Sequence, residues 1–155
     1  MIKEPAIVSY LFSMPLEKAI KKIKSALNEA EISVIMESDV ALQIKQKLGV
    51  GLAPCRILYV ESPLLLLEAL AFDVRASVFL PFHIVVSSQG VQTKVHLMSP
   101  ALIHESDIPV GIRGPLRNLH CLILGALEKV SARQGICELT IGGMDSGRGI
   151  GIRWK

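Results

Sequence analysis

Aromatic side chains are scarce in this sequence: four Phe, two Tyr and one Trp make seven among 155 residues. Half of the residues are nonetheless apolar, so a core must be built mainly from Leu, Ile, Val and Ala. Few rings are available to stack on nucleobases. The formal charge of +3 comes without a basic arm, and Lys18, Lys21, Lys22 and Lys24 fall on the polar side of an expected amphipathic helix. The composition therefore disfavours nucleic-acid binding.

Long hydrophobic runs and short cysteine spacings are also missing. An apolar run such as Pro63–Leu67 is far shorter than the roughly 18 to 20 residues that a membrane helix needs. The N-terminus, with Lys3, Glu4 and Pro5, lacks the basic start and long apolar stretch of a signal peptide. The 3 cysteines show no spacing typical of a disulfide framework or a zinc site. We therefore expect no membrane partner and a reducing, cytoplasmic location.

Charged residues are rare in the middle of the chain. Residues 51 to 100 hold three of each sign, against 17 basic and 14 acidic residues overall. Two strand–helix units, each punctuated by proline, follow each other in and around this block, and no catalytic or cofactor motif interrupts them. The pattern predicts the buried core of an α+β domain and does not identify a cofactor, which is left as unknown.

Hydrophobic periodicity and capping residues predict the elements of the first half of the chain. Asp39 is a good helix N-cap and Gly49 a good stop, while Ser62 and Pro63 form a second cap-and-start signal. The predicted strands are Ile7 to Met14, Ile32 to Met36 and Cys55 to Glu61, and the predicted helices are Pro15 to Ala30, Asp39 to Gly49 and Leu64 to Phe72.

Two later strands, 78–88 and 91–99, read as a hairpin around Gln89 and Gly90. A two-residue loop there would pair Ile84 with Val95 on the buried face. The same register would place His83 directly opposite His96 on the other face. Because successive side chains of a strand point to opposite faces, the residue pairs and faces seen in a structure test this register.

The rest of the chain is predicted as a loop, or a loop with an irregular turn, over 101–113 and a final helix from Pro115 to Arg133. We therefore expect a single α+β domain over residues 1–133. Residues 134–155 are a glycine-containing extension, with strand-like pieces at 137–141 and 150–154 that would form either a hairpin or a frayed tail.

The segments SDVALQIKQKLGV, APCRILYVESPLLLLEAL, FLPFHIVV and VHLMSP together resemble the uncharacterised family known as domain of unknown function three-oh-two. The resemblance covers roughly residues 7–100. It implies a compact α+β domain with an antiparallel sheet, helices packed on one face, and self-association. The family has no settled activity. Where its relatives often carry Cys and then Asn after the Leu-Pro pair, this chain has Phe82 and His83, so the resemblance supplies no thiol chemistry there.

Arg56 is the most unusual charge because it stands alone in a strongly apolar strand. A buried guanidinium requires a carboxylate or an anionic ligand. Glu61 lies on the opposite face by alternation, whereas Asp39 or Glu37 at a neighbouring strand end could pair with it. Arg56 is therefore either a structural or edge-strand charge or part of a site for a small anion.

Two further groups admit a chemical and a structural interpretation. His83 and His96 could chelate a metal ion, but two ligands do not make a site, and solvated or interface histidines fit as well. Cys55 lies beside Arg56, which would lower a thiol pKa, yet adjacent strand residues point to opposite faces, so a small buried side chain fits better. Cys121, on the last helix, is expected to be buried in the same way.

Other combinations give no support for catalysis. The glycines around Arg148 follow no strand-to-helix unit and lack the Lys-Ser or Lys-Thr pair of a phosphate-binding loop. No serine stands in a nucleophile-elbow sequence.

The sequence thus favours a non-enzyme: a small-molecule-binding or homodimeric interaction module. The alternative is a thiol- or histidine-dependent redox or accessory enzyme, or a metal carrier. The expected partners are a second copy of the chain and a small anionic ligand. The region chosen for the site contains Arg56, Tyr59, Glu61 and His83.

Overall fold

The computed structural model describes residues 6–105, 107–132 and 139–141 of the chain. Strands and helices alternate through its first half. The strands are β1 (Ile7–Phe12), β2 (Ser33–Asp39), β3 (Cys55–Glu61), β4 (Phe82–Gln89), β5 (Gln92–Met98) and β6 (Leu139–Ile141). The helices are α1 (Leu16–Glu29), α2 (Val40–Leu48), α3 (Pro63–Phe72), α4 (Pro100–Glu105) and α5 (Val110–Ala132), with a 3₁₀ helix at Val74–Phe79.

The six strands form one sheet in the order β2-β3-β4-β5-β1-β6. Every neighbouring pair is antiparallel. The first strand of the chain therefore lies inside the sheet, between β5 and the late strand β6, while β2 forms the other edge.

One face of the sheet is buried under α1 and α5, which also pack on each other. The buried side chains alternate along the strands, as in Tyr10 and Phe12 of β1 and Leu58 and Val60 of β3. The rest of the core is mostly aliphatic, as the composition predicts. The expected fold, an α+β domain with an antiparallel sheet and helices on one face, is confirmed.

The caps predicted for α2 are also found. The Asp39 carboxylate accepts a hydrogen bond from the Leu42 N–H at 2.9 Å, and Gly49 ends the helix with φ +68°. That left-handed conformation is open to glycine at little cost. These local signals determine where α2 begins and ends between β2 and β3.

The predicted β4–β5 register is wrong by two residues. Gln89 pairs with Gln92 and Val85 pairs with His96, so the two-residue loop is Gly90–Val91 rather than Gln89–Gly90. Gly90 has φ +65°, and a turn of this kind favours glycine at such a position. A shift of two residues keeps each side chain on its predicted face but changes its partner.

The predicted loop over 101–113 is wrong as well. α4 occupies Pro100–Glu105, and α5 begins at Val110, so Pro115 lies inside α5. Pro115 has no N–H, which removes one hydrogen bond from the helix ladder. Gly111 makes close packing possible at this end, because a Cβ added there would lie 2.2 Å from the Phe72 ring.

Within the predicted extension, Leu139–Ile141 pairs with β1. The other predicted strand, 150–154, lies outside the described residues. Among the helices of the described ranges, none combines the length and apolar character required to span a bilayer.

Candidate functional site

The face of the sheet turned away from α1 and α5 carries a mixed set of polar and apolar side chains. Alternation places them there, because Tyr10, Leu58, Ile84 and Val95 beside them in sequence are buried on the other face. Most are half-buried, and His83 is exposed. We call this the open face; it consists of Ser9, Leu11, Ile57, Tyr59, Glu61, His83, Val85, Lys94 and His96.

Tyr59 and His83 meet on the open face because they are direct partners in the β3–β4 ladder. Their ring centroids are 4.8 Å apart and the planes are inclined at 76°, an edge-to-face arrangement that aromatic rings favour. Glu61 follows Tyr59 by two residues and so lies on the same face. Three of the four residues chosen from sequence thus share one surface that can offer a ring face and hydrogen-bonding groups.

Ser9 and His96 form a second polar pair on the open face. They are partners in the β1–β5 ladder, and the Ser9 Oγ lies 2.7 Å from His96 Nδ1. Burial lowers the pKa of His96, and the nearby charge of Lys94 acts in the same direction. The lowered pKa favours the neutral imidazole, whose Nδ1 can accept a hydrogen bond from the Ser9 hydroxyl.

Sequence reasoning missed Ser9, because 87 positions separate it from His96. The alternating pattern of β1 puts Ser9 opposite the buried Tyr10, but only the β1–β5 pairing reveals its partner.

The metal-chelating arrangement of His83 and His96 is not formed as predicted. His96 stands opposite Val85, and His83 stands opposite Tyr59, because the hairpin register differs by two residues. In the described ranges, no three His, Cys, Asp or Glu side chains form a group suited to a metal ion.

Arg56 lies on the helix-covered side of β3 and does not join Tyr59, Glu61 and His83. Its guanidinium contacts Glu17 of α1 at 2.5 Å and Glu37 of β2 at 3.0 Å, and Asp39 lies 3.8 Å away. The expected pairing with Glu37 or Asp39 is therefore present, and Glu17 is added.

The electrostatics agree with a structural role for this cluster. Hydrogen bonding from Lys24 lowers the pKa of Glu37 against the opposing effect of burial, and Arg56 lowers it further. Burial opposes the charge of Arg56, but hydrogen bonds and attraction from Glu37 and Glu17 raise its pKa overall. The guanidinium is satisfied by protein carboxylates.

The two described cysteines differ in environment. Cys55 is half-buried and free; burial raises the pKa of its thiol, and the charge of Asp39 adds to this. A raised pKa disfavours the reactive thiolate. Cys121 is exposed, so the expectation that it is buried is wrong: it lies on the α5 surface beside the buried His120.

His120 is the most deeply buried histidine of the described chain, with 2% of its surface exposed. Its ring packs 5.4 Å from that of Phe82, and neither ring nitrogen has a hydrogen-bond partner among the described residues. Burial lowers the pKa of His120 to about 4. The imidazole is therefore neutral in the folded protein at pH 7.

A separate surface around α3 is strongly apolar. The sequence of α3 is PLLLLEALAF, yet only Leu65 and Ala69 of this helix are buried. Large apolar side chains on α3, the 3₁₀ helix and the start of α5 are 38% to 82% exposed. We call this surface the apolar patch; it consists of Leu64, Leu67, Phe72, Val74, Val78, Phe79 and Val110.

The chain belongs to a family whose members share this domain: the sequence profile described as "Domain of unknown function DUF302" matches residues 8–111. The resemblance stated from the sequence segments is thereby confirmed. The family description gives no activity, so it defines the class of protein without defining a reaction.

A solved structure shares the fold. It is described as the crystal structure of an uncharacterized conserved protein DUF302 from Bacillus stearothermophilus, and it superimposes with a TM-score of 0.71. The two sequences are 19% identical, and the similarity covers 80% of this chain and 97% of the other. A comparison with curated proteins gives no match.

Proposed function

We propose that the protein is a non-catalytic interaction module that forms a homodimer through the apolar patch. The observation that carries this proposal is the composition of α3, which is apolar on every side apart from Glu68 but buries only Leu65 and Ala69. A helix of this kind is normally enclosed by protein. In a two-fold dimer, the same patch of a second copy provides that enclosure, because the interface uses one surface twice.

The size of the apolar patch supports a second copy as the partner. Taking roughly 170 Å² for a fully exposed side chain of this size, the exposed parts of its seven residues amount to about 800 Å². A stable interface buries about 800 Å² on each partner. Within α3, Glu68 is the single charged residue, so little charge would have to be desolvated.

Native mass spectrometry and sedimentation velocity test the dimer. At micromolar concentration the wild-type protein should be dimeric, and Leu67→Asp, which places a charge inside the patch, should be monomeric. Leu42→Asp is the matched control, because Leu42 is 49% exposed on α2, outside the patch, and it should leave the dimer intact. A monomeric wild-type protein, or equal effects of the two variants, would contradict the proposal.

A second candidate function, binding of a small molecule on the open face, is favoured by the contacts Tyr59–His83 and Ser9–His96. They place rings, a hydroxyl and an imidazole on one half-buried surface, which is the combination that small-ligand sites use. The same native spectra of freshly purified protein should show a retained molecule as added mass. That mass should disappear in His83→Ala if the ligand occupies this face.

The other interpretations have less support. The Cys55 thiol has a raised pKa, which disfavours a thiol enzyme, and the carboxylates around Arg56 occupy the position that a small anion would take. Cys55 and Cys121 are both free, which supports the proposed cytoplasmic location.

A further inference from the structure

β2 is an edge of the sheet that is open to a further strand. Among the described strands its one neighbour is β3, so a row of backbone N–H and C=O groups along Ser33–Asp39 has no strand beside it. Charged side chains usually guard such an edge, but the middle of β2 is apolar. Ile35 and Met36 there are 50% and 54% exposed.

A cavity of about 440 Å³ lies along this edge, between β2 and α1. The consecutive residues 32–37 line one side of it, and Lys24 and Asn28 of α1 line the other. A peptide that adds to an edge strand pairs with it through its backbone, while its alternate side chains enter neighbouring pockets. Lys24 and Glu37 neutralise each other in an ion pair, so the cavity favours apolar side chains.

The charges at the start of β2 favour a basic partner. Glu29 and Glu31 lie immediately before the strand, and Glu61 stands opposite Ser33 in the β2–β3 ladder. In contrast to Glu37, which pairs with Lys24 and Arg56, these three carboxylates have no ion-pair partner within the described part of the chain. Their combined charge attracts cationic side chains.

The segment 148–155 of the chain, RGIGIRWK, has the matching chemistry. It lies outside the described residues. Every second residue from Ile150 to Trp154 is apolar, so an extended conformation would place the apolar side chains on one face. The segment carries three positive charges, at Arg148, Arg153 and Lys155, and no negative charge.

We propose that residues 150–154 of one copy of the chain add to β2 of a second copy as an antiparallel strand. Antiparallel pairing is the arrangement of all the described strands. In this direction the basic end of the segment lies beside the three carboxylates at the start of β2. Its apolar face is turned toward the cavity between β2 and α1.

The distance across the sheet favours a second copy over the segment's own chain. β6 forms the opposite edge, so a strand beside β2 lies six strand spacings, or roughly 29 Å, from β6. Nine residue spacings separate Ile141 from Ile150. A chain rich in Gly and Ser, as residues 142–149 are, has a root-mean-square end-to-end distance of about 15–18 Å over that length. The β2 of a second copy can instead approach the segment directly.

This contact is separate from the apolar patch and does not depend on it. A strand of five residues buries less than a standard interface, so we expect the contact alone to have a Kd above about 10 µM. The Leu67→Asp chain should therefore stay monomeric at micromolar concentration and associate through β2 only at higher concentration. Sedimentation velocity of the wild type at micromolar concentration tests the patch dimer independently.

The fluorescence of Trp154 tests the proposal, because Trp154 is the single tryptophan of the chain. The full chain with Leu67→Asp is measured from micromolar to millimolar concentration. The emission should move to shorter wavelength as the concentration rises, because the indole leaves water for the cavity. Emission typical of a solvated indole at every concentration would overturn the proposal. A short emission wavelength that does not depend on concentration would also overturn it, because it indicates pairing within one chain.

Charge reversals in the same background locate the contact. Arg153→Glu and Glu31→Lys should each raise the midpoint concentration at least about 3-fold, because each replaces an attraction by a repulsion. The two changes combined should restore the midpoint to within about 2-fold of its starting value. Arg117→Glu, which reverses an exposed charge on α5, is the matched control and should leave the midpoint unchanged. Equal effects of Arg153→Glu and Arg117→Glu, or no restoration by the combined changes, would contradict the contact.

Discussion

The buried His120 should make the stability of the protein depend on pH in a specific window. An unfolded histidine has a pKa near 6.5, whereas burial lowers that of His120 to about 4. Below pH 6.5 the unfolded chain therefore binds a proton that the folded protein excludes. Stability contributed by the neutral imidazole is present above pH 6.5 and is lost as the pH falls toward 4.

The size of this effect follows from the two pKa values. With 6.5 unfolded and about 4 folded, linkage predicts a loss of about 2.5 kcal/mol in the free energy of unfolding between pH 7.5 and pH 4.5. Glu37, whose pKa is also lowered in the folded state, adds to the total loss. A comparison of variants is therefore needed to isolate the contribution of His120.

Urea unfolding of wild type and His120→Leu, at one protein concentration and at both pH values, provides that comparison. The variant should lose about 2.5 kcal/mol less than the wild type on acidification, and at pH 7.5 it should be at least as stable, because two unpaired buried nitrogens are removed. His83→Leu, on the exposed end of the open face, should retain the wild-type loss. Equal losses in wild type and His120→Leu would refute the argument.

Two further substitutions test packing and charge, each against a matched control. Gly111→Ala should be less stable than Gly114→Ala in urea unfolding, by roughly 1 kcal/mol or more. The new Cβ of the first would lie 2.2 Å from the Phe72 ring, which must move, whereas that of the second meets open space. Equal effects of the two variants would contradict the close packing. Arg56→Ala should lower the free energy of unfolding by roughly 1–2 kcal/mol, because it leaves the carboxylates of Glu17, Glu37 and Asp39 near one another. The control Arg75→Ala removes an exposed ion pair with Asp73 and should leave the melting temperature unchanged. An unchanged melting temperature for Arg56→Ala would show that Arg56 has no structural role.

Strong local signals made part of the fold predictable. β3 was predicted with the bounds Cys55–Glu61 that the structure shows, because a charge-poor alternating segment follows a proline. The Asp39 and Gly49 caps bounded α2 for the same reason. Pro115 misled the prediction of α5, since proline usually marks a helix start and here lies inside the helix.

Features that depend on long-range pairing were not predictable from local patterns. The spacing of Met36 from the buried Ile32 predicts that both side chains lie on the buried face of β2. The β2–β3 pairing has a register shift between Val34 and Met36, and such a bulge reverses the alternation of faces beyond it. Met36 is therefore 54% exposed. The Ser9–His96 pair depends on the same kind of information. For Ser62, the sequence identified a helix cap, but only the structure shows that the hydroxyl is not used for capping.

The position of β1 inside the sheet has a consequence for how the protein is made. Ser9 pairs with His96, 87 positions later, and on its other side with Thr140. At roughly 5–20 residues per second of translation, the second neighbour emerges from the ribosome about 7–26 seconds after β1. During that interval the nascent chain cannot yet complete the sheet around Tyr10 and Phe12. β1 is therefore the strand that stays available to chaperones, and to premature association, for the longest time.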